Sequence, residues 1–256
     1  MFVLYESRDR VGYITLNRPD KRNALSFQVV QELKEAFTTA EHDDSARVIV
    51  LRANGEAFCA GADLAYLQQM QDFSYEENLS DSNHLKSLYY QIYTLKKIVI
   101  ASVQGHALAG GCGLATVCDF VFAVPEAKFG YTEVKIGFIP AIVMVFLLRK
   151  IGEGKAKELL LTGDLIKAEE AVHYGLVNKV IARDKLEEHV EDFASRLVTQ
   201  NSFMSMMLAK QMICQVQSMN LEGALSFAAQ MNANARGSED CRKGIAAFLN
   251  KEKLTW

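Results

Sequence analysis

The stretch "GHALAGGCGLATVCD", Gly105–Asp119, places three glycines, Gly110, Gly111 and Gly113, where an apolar helix should begin. Each glycine costs a helix about 1 kcal/mol relative to alanine, so the cluster needs a reason. A second stretch is built alike. "EAFCAGADLAYL" at 56–67 follows the strand-like run "VIVLRA", just as 106–119 follows "VIASVQ", and each leads into a helix. The first N–H groups of a helix have no partner inside it. With the positive end of the helix dipole behind them, they suit an oxygen that gains negative charge. Gly110 and Gly111 let the backbone approach a ligand with no Cβ in the way. Either loop alone reads better as a tight strand-to-helix turn; the pair is the stronger signal. Two such loops facing one another would grip one carbonyl oxygen from both sides, a backbone oxyanion hole worth several kcal/mol in a transition state.

Working outward, "VLYESRDRVGYITLNRP" reads as two strands around a turn at Arg8–Arg10, and Ser26 as the N-cap of a helix carrying Val29, Val30, Leu33, Ala36 and Phe37 at helical intervals. "ARVIVLRA", "IVIASVQGHAL" and "DFVFAVPEAKFGY" read as strands, the last turning at Pro125. Strand, loop and helix alternate to about residue 150, which is α/β organisation. From Gly152 onward the period is helical, broken by one short strand in "GLVNKVI" at 175–181. The expected division is a core over 1–195 and a helical segment over 196–256. The methionines at 204, 206, 207, 212 and 219 are read as helix packing, and "AIVMVFLL", Ala141–Leu148, as a buried helix.

A formal charge of −3 over 256 residues supplies no field for nucleic acid. The basic "LLRKIGEGKAK" at 147–157 is short and reads as a solvated helix junction. No run approaches the ~18 apolar residues of a membrane span, and the N-terminus lacks the basic flank of a signal peptide. Five cysteines without a CxxC pair read as reduced thiols, and the expected location is cytoplasmic. Cys59 and Cys112 are taken as small core residues rather than nucleophiles. No metal-ligand spacing is present.

"NRPDKRNAL" at 17–25, "AFCAGADL" at 57–64, "GHALAGGCGLATVCD" at 105–119, "AKFGYTEVKIGFIP" at 127–140 and "AKELLLTGDLIKAEEAVHYGLVNKVI" at 156–181 together resemble the crotonase (enoyl-CoA hydratase/isomerase) superfamily, in its order and spacing over nearly the whole chain. The resemblance implies an α/β, crotonase-like spiral of ββα units followed by a C-terminal helical trimerisation segment, in homotrimers or dimers of trimers. It implies an acyl-CoA thioester as substrate, with no further cofactor, in fatty acid or amino acid catabolism. The oxyanion donors would be the N–H groups of Ala62 and Gly110. Coenzyme A would run along Arg22, Ala24, Ala60, Asp63 and Leu64, with Phe248 and Lys251 against the adenine nucleotide, in some relatives from a neighbouring subunit. Asp63 reads equally as a first-turn acid favoured by the helix dipole, and Lys251 as a solvated terminal lysine.

Hydratases of this family carry two glutamates. One corresponds to Glu133 in "FGYTEVKIG"; the other is replaced by Gly113. Val134, Ile136, Phe138 and Ile139 beside Glu133 are expected to desolvate its carboxyl and raise its pKa. Asp119 is read as structural. One carboxylate could hold a water for hydration or shuttle a proton along an enoyl chain. The leading reading is hydration of a 2-enoyl-CoA, with room beside Gly113 for a branched or glutaconyl-type acyl group. The alternatives are a Δ3,Δ2-enoyl-CoA isomerase and a CoA-thioester binding protein with little catalysis. After Pro140, Ala141, Ile142 and Val143 replace a family glycine run and make that wall bulkier.

Overall fold

The computed structural model describes all 256 residues. A hairpin of β1 (Val3–Arg8) and β2 (Val11–Leu16) turns through Asp9 and Arg10, both in the left-handed region, and leads through Leu25 into α1 (Phe27–His42). Ser26 caps α1, accepting from Val29 N–H. β3 (Val48–Ala53) is followed by α2 (Leu64–Met70) and α3 (Tyr75–Thr94). β4 (Ile98–Val103), β5 (Ala107–Leu108) and α4 (Gly110–Val117) come next. β6 (Phe120–Ala123), β7 (Lys128–Gly130) and a 3₁₀ turn over Glu133–Ile136 precede α5 (Ala141–Thr162), which kinks at Gly152. β8 (Ile166–Lys167), α6 (Ala168–His173), β9 (Lys179–Val180) and α7 (Leu186–Gln200) follow. The chain ends in α8 (Phe203–Val216), α9 (Leu221–Arg236) and α10 (Glu239–Leu249).

Six strands form one sheet, β1-β2-β3-β4-β6-β9, parallel except for the β1–β2 hairpin. β4 is buried at every residue, which explains its unbroken apolar run "IVIASV". A smaller sheet, β5-β7-β8, is extended by the Cys59–Ala107 bridge, and a separate bridge joins Leu25 to Ala62. Each turn of the chain therefore lays a strand in the large sheet, then a short extended segment, then a helix. The result is a spiral of ββα units, and it delivers the loops after β2, β3, β4 and β6 to one end of the molecule.

Residue 195 lies inside α7, which packs along β2, β3, β4 and β6 and buries Val190, Ala194 and Val198. α5 is not the buried helix expected of "AIVMVFLL". Val143 and Leu147 face the core, whereas Met144, Val145 and Leu148 are exposed. α3 escaped the sequence reading because its apolar stripe is weak, although Ser74 and Glu77 form the capping box that marks its start.

Lysines finish several elements. Lys97 Nζ donates to the Ala40 and Asp43 carbonyls at the end of α1, and Lys150 Nζ to the Thr116 and Cys118 carbonyls at the end of α4. Lys150, expected to be solvated, is thus a helix cap. Lys210 of α8 is buried, donating to Lys97 O and pairing with Asp119 at 2.7 Å. Asp119 also accepts from Val99 N–H, in keeping with its structural reading. No helix is long and apolar enough to cross a membrane.

Candidate active site

Leu25 organises the first donor loop. Its N–H donates to Gly61 O at 2.7 Å, and its carbonyl accepts from Asp63 N–H at 2.8 Å. In this parallel bridge the residue between, Ala62, turns its own N–H to the other side, where it donates to no acceptor in the chain. Gly61 supplies the bend at φ +90°. The second donor, Gly110 N–H, opens α4 and likewise has no acceptor in the chain. The two loops touch: a Cβ on Gly61 would stand 2.8 Å from Ala109 Cβ and 3.7 Å from Gly110 N. Gly111 is required for the same contact, since a Cβ there would stand 2.7 Å from Cys59 Cβ.

Ala109, between the loops, has φ 49° and ψ −124°, a conformation that disfavours any side chain. It is held by its N–H donating to Gly130 O at 2.8 Å. From Gly130 the chain needs three residues to reach Glu133, at the head of the 3₁₀ turn. Small-sheet hydrogen bonding thus ties the Glu133 turn to the Ala109–Gly110 loop.

Glu133 Oε2 is buried and accepts no hydrogen bond, and burial raises the carboxyl pKa. The expected cause was wrong in part. Ile136, Phe138 and Ile139 are 73%, 55% and 64% exposed and do not enclose it. Its charge is felt by the Tyr89 hydroxyl and the Cys112 thiol, whose pKa values are raised first by burial and further by Glu133. Cys59 and Cys112 are fully buried, with thiols pushed up to about 12 and about 11, so neither is a thiolate.

The room expected beside Gly113 is absent. A Cβ there would collide with Val143 Cγ1 and stand 3.3 Å from Tyr89 Cζ. Val143 and Tyr89 therefore occupy the space into which a residue-113 side chain would project.

Of the residues expected along coenzyme A, Arg22, Ala24, Ala60, Asp63 and Leu64 cluster around the first loop. Arg22 is in the left-handed region, and its carbonyl accepts from Ala60 N–H at 3.0 Å. Ala24 is buried and Leu64 is 82% exposed. Asp63 caps α2 through Ala65 and Tyr66 N–H and pairs with Arg18 at 2.6 Å, so its carboxylate is fully engaged. Phe248 and Lys251 are not brought to this cluster. Ser202 of the α8 cap bonds to Asp240 of α10, Phe203 packs on Arg47 before β3, and the Trp256 carbonyl accepts from Arg10 in the β1–β2 turn. The starts of α8 and α10 are thus docked where the parallel strands begin, opposite the end carrying Ala62 and Gly110, while the end of α8 packs on α5, where Arg149 donates to Gln217.

The sequence profile of the enoyl-CoA hydratase/isomerase family matches residues 6–256. The chain belongs to that family. It is 33% identical to the crotonyl-CoA hydratase of Syntrophomonas wolfei over 99% of this chain and 97% of that one. It is 32% identical to the short-chain-enoyl-CoA hydratase of Clostridium acetobutylicum, over 98% and 96%. The crystal structure of an enoyl-CoA hydratase from Mycobacterium smegmatis superimposes with a TM-score of 0.93 at 32% identity, covering 100% of this chain and 99% of that one. The architecture is the crotonase fold, with its C-terminal helical region.

Tyr89 escaped the sequence reading. It lies mid-helix among ordinary aromatic residues, and no local signal marks it.

Proposed function

We propose that the protein is an enoyl-CoA hydratase, adding water across the double bond of a 2-enoyl-CoA. One observation carries the reading: Glu133, with a buried carboxylate oxygen that has no partner, follows three residues after Gly130, whose carbonyl holds Ala109 beside the free N–H groups of Gly110 and Ala62. The thioester oxygen accepts from Ala62 and Gly110. Glu133 takes a proton from water as the water oxygen bonds to Cβ, and the electron pair moves to the thioester oxygen. The enolate then takes a proton at Cα from Glu133, so the elements of one water are added and the carboxylate is restored.

Coenzyme A lies against Arg22, Ala24, Ala60 and Leu64, with Asp63 shaping the loop rather than contacting the ligand through its carboxylate. Phe248 and Lys251, remote from this site in one chain, serve the thioester of a neighbouring subunit. The exposure of Leu221, Phe248 and Leu249, at 76%, 82% and 71%, supports a trimer or a dimer of trimers. The filled space at Gly113 favours unbranched acyl groups over branched or glutaconyl-type ones.

The same filled space favours a second reading, the Δ3,Δ2-enoyl-CoA isomerase, which needs only one proton carrier. Loss of the enoyl-thioester absorbance on adding crotonyl-CoA supports the hydratase. A gain of that band from a 3-enoyl-CoA supports the isomerase. Neither change, with CoA esters still raising the melting temperature, leaves a binding protein.

A further inference from the structure

Tyr89 has no part in the chemistry described above, yet it touches the oxyanion loop. It projects from α3, is fully buried, and its hydroxyl donates to Gly110 O at 2.8 Å. Burial and the neighbouring Glu133 charge hold its pKa far above 10, so the hydroxyl stays protonated and remains a donor. The ring is wedged against α4 and α5. Cζ would stand 3.3 Å from a Cβ on Gly113, and the ring meets Phe146 edge-on with centroids 6.4 Å apart.

The consequence lies in the two bonds flanking the donor. On one side, Ala109 N–H is tied to Gly130 O at 2.8 Å; on the other, Gly110 O is tied to Tyr89. The peptide between Ala109 and Gly110, which carries the oxyanion N–H, is thus flanked by two anchored peptides, while its own carbonyl, Ala109 O, accepts from Gly113 N–H at 3.0 Å. Such pinning matters because Gly110 has no side chain to restrain it and Ala109 sits in an unfavourable conformation. A donor whose direction is set before the thioester arrives needs no reorganisation as charge develops.

We propose that Tyr89 is a positioning residue: its hydroxyl, bonded to the Gly110 carbonyl, aims the Gly110 N–H at the thioester oxygen. The role rests on the thioester-polarising site of the preceding section.

The test is Tyr89→Phe, which keeps the ring packed and removes only the hydroxyl; folding is checked by melting temperature. Butanoyl-CoA, which has no double bond to hydrate, is bound to each protein, and its carbonyl stretch is read by Raman difference spectroscopy. The wild type should lower that frequency, and Tyr89→Phe should lower it distinctly less. With crotonyl-CoA, kcat should fall about three- to tenfold, the worth of one hydrogen bond, while KM stays within about twofold. A hydroxyl that only stabilised the fold would lower the melting temperature and leave both the carbonyl frequency and kcat unchanged, which overturns the proposal. If the wild type turns over crotonyl-CoA and the two proteins polarise butanoyl-CoA alike, Tyr89 positioning is refuted and the hydratase reading stands. If the wild type neither shifts the carbonyl nor turns over any enoyl-CoA, both fall.

Discussion

Val143 stands in the space of a residue-113 side chain: a Cβ on Gly113 would lie 3.1 Å from Val143 Cβ and closer still to its Cγ1. The two positions are a matched pair, small against branched, and the space beside Gly113 has an apolar filling. A carboxylate therefore cannot be placed at 113 by one substitution. Gly113→Glu should destabilise the protein by about 1–3 kcal/mol through overpacking. Gly113→Glu with Val143→Gly should recover a large part of that loss, giving a favourable coupling in a double-mutant cycle of denaturant unfolding. Additive effects would refute the pairing.

Glu133→Gln should reduce turnover of crotonyl-CoA by about 10²–10⁴-fold, the usual worth of a positioned acid–base group. Thioester binding, read by calorimetry, should stay nearly intact. Unchanged turnover would remove Glu133 from the chemistry.

The same carboxyl sets a pH dependence. Its folded pKa is raised above 4.5, so the active carboxylate form is lost as pH falls, and the acid limb of kcat/KM should lie above pH 4.5. Burying the charge also opposes folding. That penalty is absent below the unfolded pKa, where the group is protonated in both states, and grows as pH rises through the folded pKa. Each unit of elevation costs about 1.4 kcal/mol, and about 2–4 °C of melting temperature accompanies each kcal/mol. Glu133→Gln should therefore melt higher than the wild type at pH 7–8, with the difference vanishing near pH 4. A wild-type protein that melts higher at pH 8 would contradict the desolvated site.

Ala109→Gly should raise stability. Relief of the strained φ of 49° is worth about 1–3 kcal/mol, against about 0.4–1 kcal/mol of added unfolded-chain entropy. A lower melting temperature would mean that the alanine methyl packs well enough to offset its backbone.

Lys210→Met leaves the Asp119 carboxylate without its cation at the seam between α8 and β4. The expected loss is about 3–5 kcal/mol, measured by urea unfolding at pH 7. A loss under 1 kcal/mol would make the pair no more than a surface salt bridge.

Much of this was legible in one dimension. The close approach at Gly110, the Ser26 cap and the β4 strand follow from local rules: glycine where no Cβ fits, an oxygen where N–H groups are bare, an apolar run where both sheet faces are covered; Glu133 is marked by the resemblance of its loop to the family's. Only the folded chain decided that Val143 fills the space at Gly113, that Tyr89 reaches Gly110 O, that Lys210 finds Asp119 across 91 positions, and that Asp240 of α10 finds Ser202 and Trp256 finds Arg10. The physical reason is range. Caps and turns are settled among neighbours in the chain, whereas the shape and polarity of a pocket come from side chains that packing alone brings together.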